Sequence, residues 1–391
     1  MTSAVLAPFF EIDVPNNRPR LFAETLAEFG PVDVYTTAFD HRTKATRPDI
    51  QVPGIRRIEY VPSPPYSTNV TPARMWSHEV FAARAAARFL RRRASYDFVY
   101  ANAPHSELAL AAFAASRSRV KVLDVIDIWP DVLPFSDRFR RVARPALWAW
   151  RSLFDLSVAS ADGLLAVSDT FLAEAETHFR GDPRFARRIY IGGDKLPVGG
   201  APKEDLFTIA YVGNIGHLYD FDALTDALSH PGLRGRVQVF VVGDGDRRRS
   251  LLETLALRGI PHQYFGSVYD PDEVGSILGR CHIGFNGYLN TSASFSYKAT
   301  TYLSAGLPLL NSMGGDLWSL VERLGIGYNY AQGSSSELAS RIADATDSNL
   351  GKMSENAMQF FERQIDHDVV KGKMRTFIEQ IKTAKHVGRS A

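Results

Sequence analysis

Thr208-Ile209-Ala210-Tyr211-Val212-Gly213-Asn214-Ile215-Gly216 decides the fold class. A short β-prone run fit for burial ends in a turn with glycines at 213 and 216, and a helical pattern opens near Phe221. Glycines there let backbone N–H groups approach an anion, and the positive end of the following helix adds to the attraction, so a diphosphate is the natural guest. A plain tight turn reads the same way in isolation. Outward from this unit the rhythm repeats, with strands expected at Val237–Val242, Gln263–Phe265, Ile283–Phe285 and Leu309–Asn311. Toward the N-terminus it recurs at Ala4–Phe9, Val32–Thr36, Ile55–Tyr60, Phe98–Ala101, Lys121–Ile126 and Gly163–Val167, with helices such as Arg18–Phe29 and Ser77–Arg93 between. Strands alternating with helices predict an α/β chain of parallel sheets covered on both faces.

A chain of 391 residues, 45% hydrophobic and 23% charged, exceeds one ordinary core and is too apolar for disorder. The run Ile191–Pro202, rich in Gly and Pro, suits neither helix nor strand and predicts the linker between two similar halves. The expected division is residues 1–198, residues 199–355, and a C-terminal helix within 356–391 that packs back on the first domain. Cys281 is the single cysteine, which excludes a disulfide framework and a zinc site on paired thiolates and points to a reducing compartment. Met1–Phe10 lacks a basic leader and is followed by Glu11 and Asp13, unlike a cleavable signal peptide. No apolar run is long enough to span a bilayer. A net charge of +2 is too small to drive nucleic-acid binding.

A second cluster supports the anion reading. Phe295-Ser296-Tyr297-Lys298 opens a short helix that stops at Gly306 and Pro308, before the strand at Leu309. An ammonium, hydroxyls from Ser296 and Thr301, and a helix start are brought together, fit for the phosphates and ribose of a nucleotide-sugar; a solvated lysine at a helix start is the plainer alternative. Asp244-Gly245-Asp246 invites a divalent-metal reading. Three arginines follow it at once and would counter the ion's charge, so a solvated turn is expected there and no metal cofactor.

The order of Tyr211–Gly216, Val241-Val242-Gly243-Asp244-Gly245, Tyr264-Phe265-Gly266 and Lys298–Pro308 resembles the donor half of GT-B glycosyltransferases, especially the large family four. Leu123-Asp124-Val125-Ile126-Asp127-Ile128-Trp129-Pro130-Asp131 is similar to the "RDLWP" segment of bacterial family-four enzymes acting on polyprenyl-diphosphate carriers, and Ala166-Val167-Ser168 to their "AVS" strand end. The resemblance implies two Rossmann-like, doubly wound domains with parallel sheets facing across a cleft. It implies donor contacts at Gly213, Asn214, Gly216, His217, Phe265, Tyr288, Ser296, Tyr297, Lys298 and Thr301. This chain departs from the pattern: the family's Glu-x7-Glu pair falls on Ala293 and Thr301, and Ile126 replaces the Arg of "RDLWP". Glucuronosyltransferases that lack the Glu pair and keep a lysine in this loop are an equal comparison.

Asp127, at a strand end, is the candidate base or positioning group for an acceptor hydroxyl, and a helix cap or loop salt bridge is its plain alternative. His105, Trp129 and Arg18 are acceptor-side candidates, Arg18 and Arg20 as partners of an anionic diphosphate. Arg138–Phe154 joins bulky aromatics to five arginines. It suits an amphipathic helix in a headgroup layer as well as a core helix with snorkelling arginines. Arg91-Arg92-Arg93 and Pro62-Ser63-Pro64-Pro65-Tyr66 would extend that face. The resulting expectation is a metal-independent hexosyl- or uronosyltransferase of bacterial surface polysaccharide synthesis. It would use a nucleotide-sugar donor and a lipid-linked or oligosaccharide acceptor, and would be cytoplasmic, at the inner face of the plasma membrane. A catalytically silent GT-B subunit is the rival expectation.

Overall fold

A computed structural model describes residues 1–11, 17–40, 43–47, 51–67, 71–92, 96–115, 120–131, 133, 135–200, 202–289 and 294–387. Ala293, Arg93 and Asp13, which figure in the expectations above, lie outside these residues. The chain divides into a first unit of Met1–Tyr190 with Val370–Ala391, and a second of Ile191–Val369.

The first unit runs β1 (Ser3–Leu6), α1 (Arg18–Ala27), β2 (Val32–Thr37), β3 (Phe39–Asp40), β4 (Ala45–Thr46), β5 (Ile55–Val61), α2 (Pro72–Arg91), β6 (Phe98–Ala103), α3 (Ser106–Ala115), β7 (Val120–Val125), α4 (Asp137–Val142), α5 (Arg144–Ala159), β8 (Gly163–Ala166), α6 (Asp169–Glu176) and β9 (Ala186–Arg188). Its parallel sheet has the order β5-β2-β1-β6-β7-β8-β9. The strands β1, β2, β6 and β8 are wholly buried, the pattern of a sheet covered on both faces.

The second unit runs β10 (Phe207–Val212), α7 (Phe221–Leu228), β11 (Val237–Val242), α8 (Arg248–Leu257), β12 (His262–Gly266), α9 (Pro271–Gly279), β13 (Ile283–Asn286), α10 (Tyr297–Ser304), β14 (Leu309–Asn311), α11 (Asp316–Leu324), β15 (Gly327–Asn329), α12 (Ser335–Asp347) and α13 (Gly351–Phe360), in a parallel sheet ordered β12-β11-β10-β13-β14-β15. A π turn over Phe361–Ile365 leads into α14 (His367–Val387). The tail expected as one helix is therefore two.

From Val370 onward α14 belongs to the first unit. Met374, Phe377 and Ile381 share a core with Leu21, Phe22 and Leu26 of α1. Gly163 makes that approach possible, because a Cβ there would stand 2.6 Å from Ile381 Cδ1. The glycine-rich stretch expected as a linker is packed rather than loose. The Leu196 N–H donates to the Ser304 carbonyl at 3.3 Å, and Gly275 and Gly279 of α9 leave room for the backbone of Pro197 and Val198.

Sequence reading placed the central strands to within a few residues but missed β9 and β15, both short edge strands. It also started α2 a turn late. Thr71 caps that helix, accepting from the Arg74 N–H at 3.4 Å, with Pro72 in the first turn.

Candidate functional site

In the second unit, the turn after β10 and the start of α10 come together. Ser296 caps α10 by accepting the Ala299 N–H at 3.0 Å. Lys298 follows in the first turn and is 8% exposed. Its Nζ lies 3.5 Å from the ring centroid of Tyr219 and 5.4 Å from those of Tyr211 and Tyr288. Gly213 has φ +126°, and a Cβ at that position would stand 3.3 Å from the same Nζ, so conformation and space both demand glycine. Tyr302 fastens the helix to the sheet, its hydroxyl accepting from the Val212 N–H at 2.9 Å and donating to the Phe285 carbonyl at 3.2 Å.

This ammonium has aromatic faces for company. Among the described residues no carboxylate pairs with it, and burial pushes its pKa well below the ordinary lysine value. Cation–π contacts offset only about 2 kcal/mol of desolvation, whereas taking an ion out of water costs several kcal/mol even in real proteins. The site is therefore short of one negative charge. An anion seated between the Gly213 turn and the α10 N-terminus would supply it.

The other donor-side expectations divide. Tyr288 stands in the cage, its hydroxyl hydrogen-bonded to that of Tyr219 and its ring 5.0 Å from the Tyr219 ring. Asn214 and His217 are exposed in the same turn, and Gly216 is close-packed against the Asn214 amide. Tyr297 is 44% exposed. Thr301, at the register of the family's second Glu, donates its hydroxyl back to the Tyr297 carbonyl at 3.1 Å. Phe265 is apart from the cage: it sits on β12, two strands from β10, with its ring 5.2 Å from that of Phe240. Asp244 accepts from the Gly245 N–H at 2.7 Å and pairs with Arg248 at 3.2 Å. Among the described residues no group of three His, Cys, Asp or Glu is disposed to hold a metal ion.

In the first unit, Asp127 lies two residues beyond β7 and is half-buried. Burial raises its pKa to about 6 against the opposing positive charge of Arg74. Among the described residues it neither caps a helix nor forms an ion pair, so the plain alternatives find no support. Two residues on, the Trp129 ring stacks on His78, with centroids 5.6 Å apart and planes within 6°. His105 meets both edge-on, 4.8 Å from His78 and 5.6 Å from Trp129. It is 2% exposed, with Nδ1 3.5 Å from Glu107 Oε1 and Nε2 without a hydrogen-bond partner among the described residues. A carboxylate held near neutrality beside a wall of rings can take a proton from a hydroxyl and seat a sugar face.

Arg18 is a correction. Its guanidinium is 1% exposed and forks onto Asp124 at 2.6 and 2.8 Å, while Nη1 donates to the Ile189 and Tyr190 carbonyls. It ties α1 to the end of β7 and to the Ile189 and Tyr190 backbone. Arg20 pairs with Glu24 at 2.7 Å. In the Pro62–Tyr66 loop Tyr66 is buried, its ring 4.9 Å from that of Phe39, while Pro62 and Pro65 are exposed.

Sequence reading missed Tyr219, which lies in the same β10–α7 connection as Gly213, and Arg74 and His78, which reach the Asp127 site from α2. It also missed Asn286, Asn311 and Asn329, a buried row of amides that ends on Ser296. The row had a legible signal, because β13, β14 and β15 each finish in asparagine.

Two covered parallel sheets in this order, one carrying a glycine turn against a lysine at a helix start, define the GT-B fold. Solved structures of that fold match nearly the whole chain. Sucrose-phosphate synthase from Thermosynechococcus elongatus is 15% identical with TM-score 0.69, over 98% of this chain and 100% of that one. Anabaena HepE in complex with UDP is 16% identical with TM-score 0.63, over 97% and 100%. WaaG, a glycosyltransferase involved in lipopolysaccharide biosynthesis, is 16% identical with TM-score 0.66, over 96% and 99%. No family model matches the sequence, and no curated protein matches it.

Proposed function

We propose that the protein is a glycosyltransferase: the second unit holds a nucleotide-sugar by its diphosphate, and the first unit holds the acceptor, whose hydroxyl Asp127 deprotonates or orients. The observation that carries this reading is the buried, anion-deficient ammonium of Lys298 against the Gly213 turn. HepE, a relative in fold, is known with UDP and with UDP-glucose, which supports the choice of donor class. In this reading Lys298 and the α10 N-terminus carry the phosphate charge without a metal. A thermal-shift screen over nucleotide-sugars tests it. One of them at a hundred times its Kd should add about 2.7 kcal/mol of stability, and its nucleoside diphosphate should be released when acceptor is supplied. A flat screen would refute the reading. Binding with no release under any acceptor would instead favour the silent subunit.

The acceptor proposed is a polyprenyl-diphosphate-linked glycan of bacterial surface polysaccharide synthesis, met by a cytoplasmic protein at the inner face of the plasma membrane. Support comes from α4 and α5, where Phe139, Val142 and Trp148 are 47%, 79% and 72% exposed beside exposed Arg138, Arg141 and Arg144. Arg140 and Arg151 do not share that role: Arg140 donates to the Leu133 carbonyl, and Arg151 is held by Asp131, Asp155 and Glu174. Among the described residues no helix is long and apolar enough to cross a membrane. Apolar side chains ringed by cations fit an anionic headgroup layer. The protein should float with vesicles containing phosphatidylglycerol, and less so with pure phosphatidylcholine or in 0.5 M salt. Trp148→Asp should abolish flotation with little change in melting temperature, and equal flotation of that variant would exclude this surface.

A further inference from the structure

The strand-final asparagines form one continuous chain of side-chain hydrogen bonds. Asn286, Asn311 and Asn329 stand in register across β13, β14 and β15 and are buried, at 0%, 0% and 9% exposure. Ser296 Oγ donates to Asn286 Oδ1 at 2.8 Å, Asn286 Nδ2 to Asn311 Oδ1 at 2.8 Å, and Asn311 Nδ2 to Asn329 Oδ1 at 2.8 Å. Asn329 Nδ2 closes the row on the Trp318 carbonyl of α11 at 3.0 Å. Asn311 is fixed further, since Nδ2 also donates to the Met313 carbonyl at 2.9 Å and Oδ1 accepts the Met313 N–H at 3.2 Å.

Every donor points the same way along this row. A primary amide donates from one atom and accepts on another, so it can pass a hydrogen bond from strand to strand at their spacing of about 4.8 Å. Three apolar residues would fill the same volume without the desolvation cost, so a polar row this deep fixes a geometry rather than simply adding stability. Its far end is anchored at α11 and at the Met313 backbone. Its near end is the cap of the helix that carries Lys298.

We propose that Asn286 is a positioning residue for donor binding: through Ser296 it sets the first turn of α10, and with it the Lys298 ammonium, at the place where a nucleoside diphosphate binds. The inference rests on the donor-site reading above and adds to it a group that never touches the ligand.

Titration of UDP, GDP, ADP and dTDP into wild type and variants tests it, with melting temperatures measured on the same samples. Asn286→Leu should weaken the nucleotide that binds by about tenfold. Asn329→Leu, two links away, should lower the melting temperature comparably yet keep affinity within about twofold. Ser296→Ala should match Asn286→Leu, and the double variant should be no weaker than either alone, because both break the same link. Equal affinity losses at positions 286 and 329, or additive losses at 286 and 296, would reduce the row to a structural brace and overturn the proposal. Asn286→Ala serves the same comparison if the leucine variant does not fold. A wild type that binds none of the four nucleotides fails in another way, removing the donor-site reading and the positioning role together.

Discussion

Lys298→Met is expected to remove nucleoside-diphosphate binding while making the protein more resistant to heat. Methionine keeps the length and volume of the side chain and deletes the charge. The loss of a charge-assisted contact to phosphate should weaken affinity at least about a hundredfold, near 2.7 kcal/mol. The gain has the opposite origin, because without ligand the fold buries an ammonium among Tyr211, Tyr219 and Tyr288 with no carboxylate beside it among the described residues. Burial lowers the folded-state pKa below that of the unfolded chain, so the unfolded state binds the proton more tightly. The penalty is therefore full at pH values below the folded pKa and fades as pH rises toward the unfolded value. Melting temperatures of wild type and variant should differ most in acid and converge in alkali. A variant that binds nucleotide as wild type does would show that the anion site is elsewhere.

Asp127→Asn should cut kcat by about a thousandfold, within the range general-base groups contribute, and leave nucleotide affinity unchanged. In wild type, burial lifts the carboxyl from 3.8 to about 6. Activity that needs the ionised form should then rise about tenfold per pH unit up to pH 6 and level off above it. Stability runs the other way. The folded state holds the proton more tightly than the unfolded chain, so stability falls as pH climbs from about 4 to 6 and stays reduced above. The asparagine variant, which never ionises, should be about 3 kcal/mol more stable than wild type at pH 7.5. A flat acid limb in kcat/KM, or a variant with near-normal turnover, would remove Asp127 from the chemistry.

Much of the fold was legible because parallel strands leave a continuous apolar record between glycine turns. The edge strands were not: Ala186-Arg187-Arg188 and Gly327-Tyr328-Asn329 each have one free side and so lack that record. Gly213 and Lys298 could be read as partners because one is a backbone requirement and the other a charge at a helix start. Arg18 could not be read correctly, since its sequence is the same whether it faces a ligand or, as here, an aspartate 106 residues away. Tyr219 and Arg74 carry no local mark at all. Their meaning comes from which strand ends the topology makes neighbours.

The return of α14 reverses the usual order of chain assembly. Val370, Met374, Phe377, Ile378 and Ile381 belong to the core of the first unit, yet they follow the whole of the second unit in sequence. During synthesis the amino-terminal layers must wait, their apolar faces incomplete, while Ile191–Val369 emerges with its own sheet entire. The part made later can thus fold first, and the part made first is completed only by a helix synthesised after the whole of the second unit.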